Sequence, residues 1–160
     1  QAWANAARLG LPQVSFLEGR LEALPIADAS VDAVTSNCVI NLVPDKGAAF
    51  REVARVLRPG GRLVVSDIVL DAPLPEPVAR DLLAYVGCVA GAMLRGVYFA
   101  LLGEAGLGDI TILRDVDYLA AADYVLPKEV AEAMARIGLG PDDLAGKVRS
   151  VTYRARKVVG

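Results

Sequence analysis

Apolar and polar positions alternate along this chain in blocks that predict strands separated by helices. Strands are predicted at short apolar runs of strand length: 13–18, 31–36, 62–68 and 109–114. Helices are predicted where apolar residues recur at helical spacing: 1–9, 46–57, 78–86, 97–105 and 128–137. Residues 148–157 alternate apolar and polar side chains and predict a final antiparallel strand. This order indicates an α/β fold with a mostly parallel sheet.

Proline and glycine mark the boundaries of these elements. Asp45 follows Pro44 and is expected to cap the helix that begins after it. The sequence Arg58-Pro59-Gly60-Gly61 predicts a turn between this helix and the strand at 62–68. Gly60-Gly61 follows a helix rather than a strand, so we do not expect it to bind a phosphate or a dinucleotide.

Composition narrows the possible classes of protein. The 160 residues are 54% hydrophobic and 22% charged, with a net charge of −2, which argues against a disordered chain and against a nucleic-acid partner. No apolar run has the length of a membrane span, so we expect no membrane partner. We expect one domain over 1–160, with no internal boundary. The mean hydropathy of +0.42 predicts apolar surface that a partner or another part of the fold covers.

The rare residue types limit the possible chemistry. Histidine is absent, which excludes Ser-His-Asp hydrolases and histidine-based zinc sites. Two cysteines do not make a disulfide framework, so we expect a cytoplasmic protein with reduced thiols. The chain begins at Gln1 without a methionine or a signal peptide, and we expect it to start partway into a longer protein or to be trimmed.

Cys38 lies directly after the strand predicted at 31–36. In an open α/β sheet, ligands bind at the carboxyl ends of the strands, so this position favours chemistry. Burial statistics favour core packing for cysteines in general, and a disulfide with Cys88 is a third alternative. The residues themselves leave these alternatives open.

Four segments in this order resemble class I S-adenosylmethionine-dependent methyltransferases: EGRLEALP at 18–25, SVDAV at 30–34, LRPGGRL at 57–63 and the last strand. The resemblance implies a Rossmann-like sheet, mostly parallel with an antiparallel last strand, and S-adenosylmethionine as the cofactor. It also implies an incomplete sheet, because the glycine loop and strands 1 and 2 of that family precede the region that this chain resembles.

The two cysteine segments, SNCVINLVPDK at 36–46 and GCVAGA at 87–92, resemble the arsenite methyltransferases. This resemblance implies that Cys38 and Cys88 are catalytic thiolates that bind arsenic(III), a small-molecule metalloid substrate. It also implies that Asn37 lies near the methionyl end of the cofactor, and that Leu21 and Glu22 lie beside the adenine. The chemistry agrees, because arsenic(III) is soft and favours thiolates, and its lone pair attacks a methyl group without a general base.

The missing strands raise alternatives of structure and of function. A second copy in a homodimer or strand-swapped oligomer, direct pairing of 13–18 with 31–36, or residues before Gln1 would each fill the gap in the sheet. Three functions stay open for the chain: an arsenite methyltransferase, a catalytically incompetent fragment that at most binds arsenite, or a methyltransferase of another small molecule. Asp67 is expected to cap a turn rather than face the site.

Overall fold

The computed structural model describes residues 2–76, 89, 91–120 and 128–159. Within them, four strands form one sheet in the order β1-β2-β4-β3, with bounds β1 Val31–Asn37, β2 Leu57–Leu70, β3 Leu107–Asp117 and β4 Val148–Lys157. The helices described are α1 Ala2–Arg8, α2 Lys46–Val56, α3 Arg95–Glu104 and α4 Lys128–Arg136. Short 3₁₀ helices lie at Ile40–Leu42 and Pro141–Leu144.

The strand directions confirm the predicted fold class. β1 pairs with β2 in parallel, and β4 lies between β2 and β3 and is antiparallel to both. β1, β2 and β3 therefore point the same way, and the last strand alone runs against them. The predicted strand at 148–157 agrees with β4, and the predicted strand at 109–114 lies inside the longer β3.

The main core lies between the sheet and the helices α2 and α3. Phe50 of α2 and Tyr98 of α3 are fully buried and meet edge to face, with ring centroids 5.3 Å apart. Tyr98 also meets Tyr153 of β4 edge to face at 5.9 Å. Burying each such side chain stabilises the fold by about 1.5–3 kcal/mol. The core thus fixes α2 and α3 against each other and on the sheet.

The predicted turn at 58–61 is confirmed, although it lies within the bounds of β2. Val31 pairs with Leu57 but Ala33 pairs with Arg62, so the β2 side has extra residues over this stretch. Gly60 adopts a φ of +74°, which an L side chain rarely adopts. Asp45 caps α2 as predicted, since its Oδ1 accepts a hydrogen bond from the Ala48 amide at 2.8 Å.

The predicted strand at 13–18 is wrong. The segment is irregular, and its Phe16 ring packs against Trp3 of α1 with centroids 5.0 Å apart. A strand needs a hydrogen-bonding neighbour, and among the residues described β1 pairs only with β2. The direct pairing of 13–18 with 31–36 is therefore also wrong, and apolar composition alone did not make a strand.

Two further predictions, the helix at 78–86 and the position of Cys88, lie outside the described residues.

A helix long and apolar enough to cross a bilayer does not occur in the part of the chain that the structure describes.

Candidate functional site

A cleft of about 320 Å³ opens at the carboxyl end of β1. Its lining residues come from the loop after 20, from β1 and its continuation, and from α2: Leu21, Val34, Thr35, Ser36, Asn37, Val39, Ile40, Ala49 and Val53. The structure thus brings together Leu21 and Asn37, two of the three predicted cofactor-binding residues. Glu22 is half-buried and adjacent to Leu21 in the chain, but it is not among the lining residues.

Ser36 adds a polar group to this largely apolar cleft. Its hydroxyl oxygen is buried, and it has no hydrogen-bond partner within the described part of the chain. Buried polar groups are normally hydrogen-bonded, so a ligand with a polar group at this point would satisfy it. Ser36 is not among the site residues predicted from the sequence. Its position at the end of a strand, next to Asn37, was the available signal.

Cys38 lies where the sequence predicted, immediately after β1. It is half-buried, and its amide donates to the carbonyl oxygen of Ser66 in β2 at 2.8 Å. Its φ of +58° lies in the left-handed region, which costs an ordinary residue about 1–2 kcal/mol. Such a conformation persists only where the surroundings enforce it, and it is common at functional sites.

We call residues 38–43 the cysteine turn. Side-chain hydrogen bonds connect it to two neighbouring elements. Asn41 is 1% exposed, and its Nδ2 donates to the carbonyl oxygen of Ile68 in β2 at 2.8 Å. Lys46, at the start of α2, donates from Nζ to the carbonyl oxygens of Asn41 and Val43, both at 3.1 Å. The cysteine turn is therefore connected to β2 and to α2 by buried hydrogen bonds.

Gly91 packs directly on the cysteine turn. A Cβ atom at this position would overlap the carbonyl group of Asn41 and would lie 3.2 Å from Nζ of Lys46. Only glycine allows this approach. Gly91 belongs to the second cysteine segment of the sequence, so the described residues place the two segments in contact. A cavity of about 330 Å³ lies beside the contact, lined by Asn41, Leu42, Val43, Pro44, Lys46 and Gly91.

Behind the cysteine turn lies a buried polar cluster, which we define as Asn41, Lys46, Asp67, Tyr98 and Tyr153. The Tyr98 hydroxyl donates to Asp67 Oδ2 at 2.8 Å and accepts from the Tyr153 hydroxyl at 3.2 Å. Asp67 is 1% exposed and lies inside β2, and its carboxylate accepts a backbone hydrogen bond from Asn41. It therefore binds the cysteine turn beside the candidate site rather than the turn that follows its own strand.

Burial controls the ionisation of the cluster. It raises the pKa of Asp67 to about 6, although the hydrogen bond from Tyr98 and the charge of Lys46 act in the opposite direction. Burial also lowers the pKa of the Lys46 ammonium, and the negative charge of Asp67 opposes this. Desolvation outweighs the attraction between the two charges at both groups.

Glu52 and Arg55 of α2 hold the loop that carries Leu21. Glu52 Oε2 accepts from the Leu24 amide at 2.8 Å, and Arg55 donates to the carbonyl oxygens of Leu24 and Ile26 at 3.0 and 2.8 Å. The hydrogen bond from Arg55 lowers the pKa of Glu52 to about 2. This pair was not predicted from the sequence, although an acidic and a basic residue three positions apart on a predicted helix are a recognisable signal.

Comparison with known proteins agrees with the geometry. A family model described as a methyltransferase domain matches residues 1–136. The arsenite methyltransferase of Halobacterium salinarum is 45% identical over 112 residues, which cover 70% of this chain and 29% of that protein. The arsenite methyltransferase of Aquipseudomonas alcaligenes is 33% identical over 159 residues, covering 98% of this chain and 42% of that protein. The chain spans less than half the length of these curated relatives.

A solved structure shows the same relationship. The crystal structure of an arsenic(III) S-adenosylmethionine methyltransferase from Chlamydomonas reinhardtii is similar, with a TM-score of 0.72 and 32% identity. The similarity covers 91% of this chain and 45% of that one. The chain therefore belongs to the class I methyltransferase family, with arsenite methyltransferases among its homologues.

Proposed function

We propose that this chain carries the acceptor site of a methyltransferase that transfers a methyl group from S-adenosylmethionine to trivalent arsenic bound by Cys38 and Cys88. One observation carries the proposal. Cys38 lies at the carboxyl end of β1, between Asn37 and Val39, both of which line the cleft. The arsenite methyltransferases among the relatives support arsenic as the acceptor.

The contact between Asn41 and Gly91 supports a shared site for the two cysteines. Asn41 follows Cys38 by three positions, and Gly91 follows Cys88 by three. The two cysteine segments therefore meet through described residues of each, which supports one metalloid bound by both thiolates.

In this reaction the side chains of the protein bind and orient the acceptor. The thiolates bind arsenic(III), which is soft, and direct its lone pair. S-adenosylmethionine, when bound, would supply the methyl group: the arsenic lone pair would form the new bond, the electron pair of the sulfur–methyl bond would stay on sulfur, and arsenic would pass from +3 to +5. No side chain needs to remove a proton in that bond exchange, which agrees with a chain that lacks histidine.

The lining of the cleft supports its assignment to the cofactor. Its apolar walls suit a flat adenine, and the buried Ser36 hydroxyl offers a hydrogen bond that the described chain does not use. We assign Leu21 and Glu22 to the adenine end and Asn37 to the methionyl end. The Glu52–Arg55 pair keeps the loop of Leu21 in place.

We also propose where the reaction takes place. We place it in the cytoplasm, where cysteines stay reduced. We treat 1–160 as one partial methyltransferase domain.

We propose that a second copy covers the edge of β1 in a homodimer or strand-swapped oligomer, because within the described residues that strand pairs only with β2. Sedimentation of the chain over a range of concentrations tests this association.

Calorimetric titration with arsenite tests the acceptor site. We expect saturable binding by the wild type and a loss of at least roughly 100-fold in affinity in Cys38→Ser, because a soft ligand is replaced by a hard one. Ser15→Ala, a hydroxyl change at an exposed residue outside the cleft, serves as the control and retains the affinity. Equal binding by the wild type and Cys38→Ser contradicts the assignment of Cys38.

A separate titration with S-adenosylmethionine distinguishes the alternatives. Binding of both ligands supports the complete reaction. Arsenite binding without cofactor binding supports the incompetent fragment, which holds only the acceptor. Cofactor binding without arsenite binding supports a methyltransferase of another small molecule.

A further inference from the structure

We propose that Lys46 is a positioning residue for Cys38, which holds the cysteine turn in the geometry that binds arsenic. This inference rests on the proposed function, since it concerns the same thiolate. The observation behind it is the bridge from Lys46 Nζ to the carbonyl oxygens of Asn41 and Val43, both at 3.1 Å.

The location of Lys46 is costly for a lysine. Its side chain is nearly all buried, at 5% exposed, and buried ammonium groups are rare because desolvation is expensive. It is also the first residue of α2, where the helix dipole disfavours a positive charge. Two unfavourable terms at one residue indicate that its interactions with the turn matter for function.

The turn that Lys46 holds is itself strained. Cys38 adopts the left-handed φ of +58°, three residues before the carbonyl group that Lys46 binds. Such a conformation needs support from its surroundings. Asn41 fastens the middle of the turn to Ile68, and Lys46 fastens the middle and the end. Without the ammonium group, two buried carbonyl groups lose a donor and the turn is free to relax.

Asp67 has a different role from Lys46. Its carboxylate balances the buried positive charge, and the Tyr98 hydroxyl donates to it. Asp67 also accepts a backbone hydrogen bond from Asn41, so it holds the amide side of the turn, whereas Lys46 holds the carbonyl groups. Asp67→Asn removes the charge but keeps a side-chain oxygen that can accept from Asn41, so comparison with the double variant isolates the bridge from Lys46.

The test compares Lys46→Met, Asp67→Asn and the double variant in arsenite titrations and in thermal unfolding. Lys46→Met leaves a buried carboxylate unpaired, so we expect both the Tm and the arsenite affinity to fall. The double variant removes both charges, so we expect its Tm to recover towards the wild type. Its arsenite affinity stays roughly 10- to 100-fold below the wild type, because nothing bridges the two carbonyl groups.

Asp67→Asn alone keeps the bridge from Lys46 and an oxygen that can accept from Asn41, so its arsenite affinity should stay roughly 10-fold or more above that of the double variant. Lys128→Met is the control, because this lysine is 83% exposed on α4 and should change neither quantity. A double variant whose affinity recovers together with its Tm overturns the inference, since Lys46 would then be merely structural.

A second measurement does not depend on arsenic. Peptide-level hydrogen exchange over 38–46 should be faster than the wild type in the double variant, even after its Tm recovers. Unchanged exchange there overturns the positioning role. Faster exchange in a chain whose wild type binds no arsenite leaves Lys46 in control of the turn while the proposed function fails, so the two failures are distinguishable.

Discussion

Two groups of charged and polar side chains both connect α3 with β4, but they shift the pKa values of their carboxyl groups in opposite directions. The buried polar cluster connects β2, α3 and β4 through Asp67, Tyr98 and Tyr153. A rim network, which we define as Asp71, Arg95, Asp115 and Arg149, connects the end of β2 with α3, β3 and β4 at the surface. Arg95 donates to Asp71 at 2.6 Å and to Asp115 at 2.7 Å, and Arg149 donates to Asp115 at 2.8 Å.

Solvent access explains why the pKa of the carboxyl group is lowered in the rim network and raised in the buried polar cluster. In the rim network, hydrogen bonds from Arg95 and Arg149 hold the pKa of Asp115 below its usual range, so folding favours the charged form. In the buried cluster, desolvation raises the pKa of Asp67 to about 6, so folding disfavours it. The rim network therefore stabilises the fold, whereas the buried cluster costs stability beside the candidate site. Costs of that kind are typical of functional sites.

Substitution of Gly91, which packs against Asn41 and Lys46 of the buried polar cluster, should lower the free energy of unfolding the most. The added methyl group of Gly91→Ala would overlap the backbone of Asn41, which cannot rotate away. We expect a loss of about 4 kcal/mol in the free energy of unfolding, measured by urea denaturation. Gly103→Ala in α3 is the control, because its Cβ meets nothing within 4 Å and it should stabilise by about 0.5–1 kcal/mol. A mild effect of Gly91→Ala would contradict the close contact.

The pH dependence of stability should differ in sign between the two groups. Asp67 has a raised pKa when folded, so its contribution is fully present below its ordinary pKa of 3.8 and is lost as the pH rises to about 6. The shift corresponds to roughly 3 kcal/mol. Urea denaturation of the wild type and Asp67→Asn between pH 4 and 7 should show the wild type losing stability relative to the variant. A constant difference would contradict the buried, desolvated carboxylate.

Asp115 should show the opposite slope with a smaller magnitude. Its pKa is lowered when folded, so its contribution is present above 3.8 and is lost as the pH falls through the folded pKa. Its side chain is 28% exposed, and we expect Asp115→Asn to cost about 1 kcal/mol at neutral pH. The cost should shrink in high salt, because partly exposed charges are screened. A cost independent of salt would show that Asp115 acts through packing.

The sequence predicted the elements that local pattern determines. β4 and α2 follow from side-chain alternation and from helical spacing with the Asp45 cap, and both agree with the structure within a residue. The strand at 13–18 failed because a strand requires a neighbour, which local pattern does not supply. Leu21 and Asn37, which the family resemblance assigned to the cofactor, both line the cleft, but the bridge from Lys46 and the contact of Gly91 were not predicted. Both depend on residues that only the folded chain brings together.

Arsenic X-ray absorption on the arsenite-loaded chain tests the central claim most directly, because it counts the sulfur neighbours of the bound metalloid. If Cys38 and Cys88 share one arsenic, the wild type should show two sulfur neighbours from the chain and Cys38→Ser should show one. Oxygen neighbours alone in the wild type, or an unchanged sulfur count in Cys38→Ser, would contradict the assignment of the cysteine turn as the acceptor site.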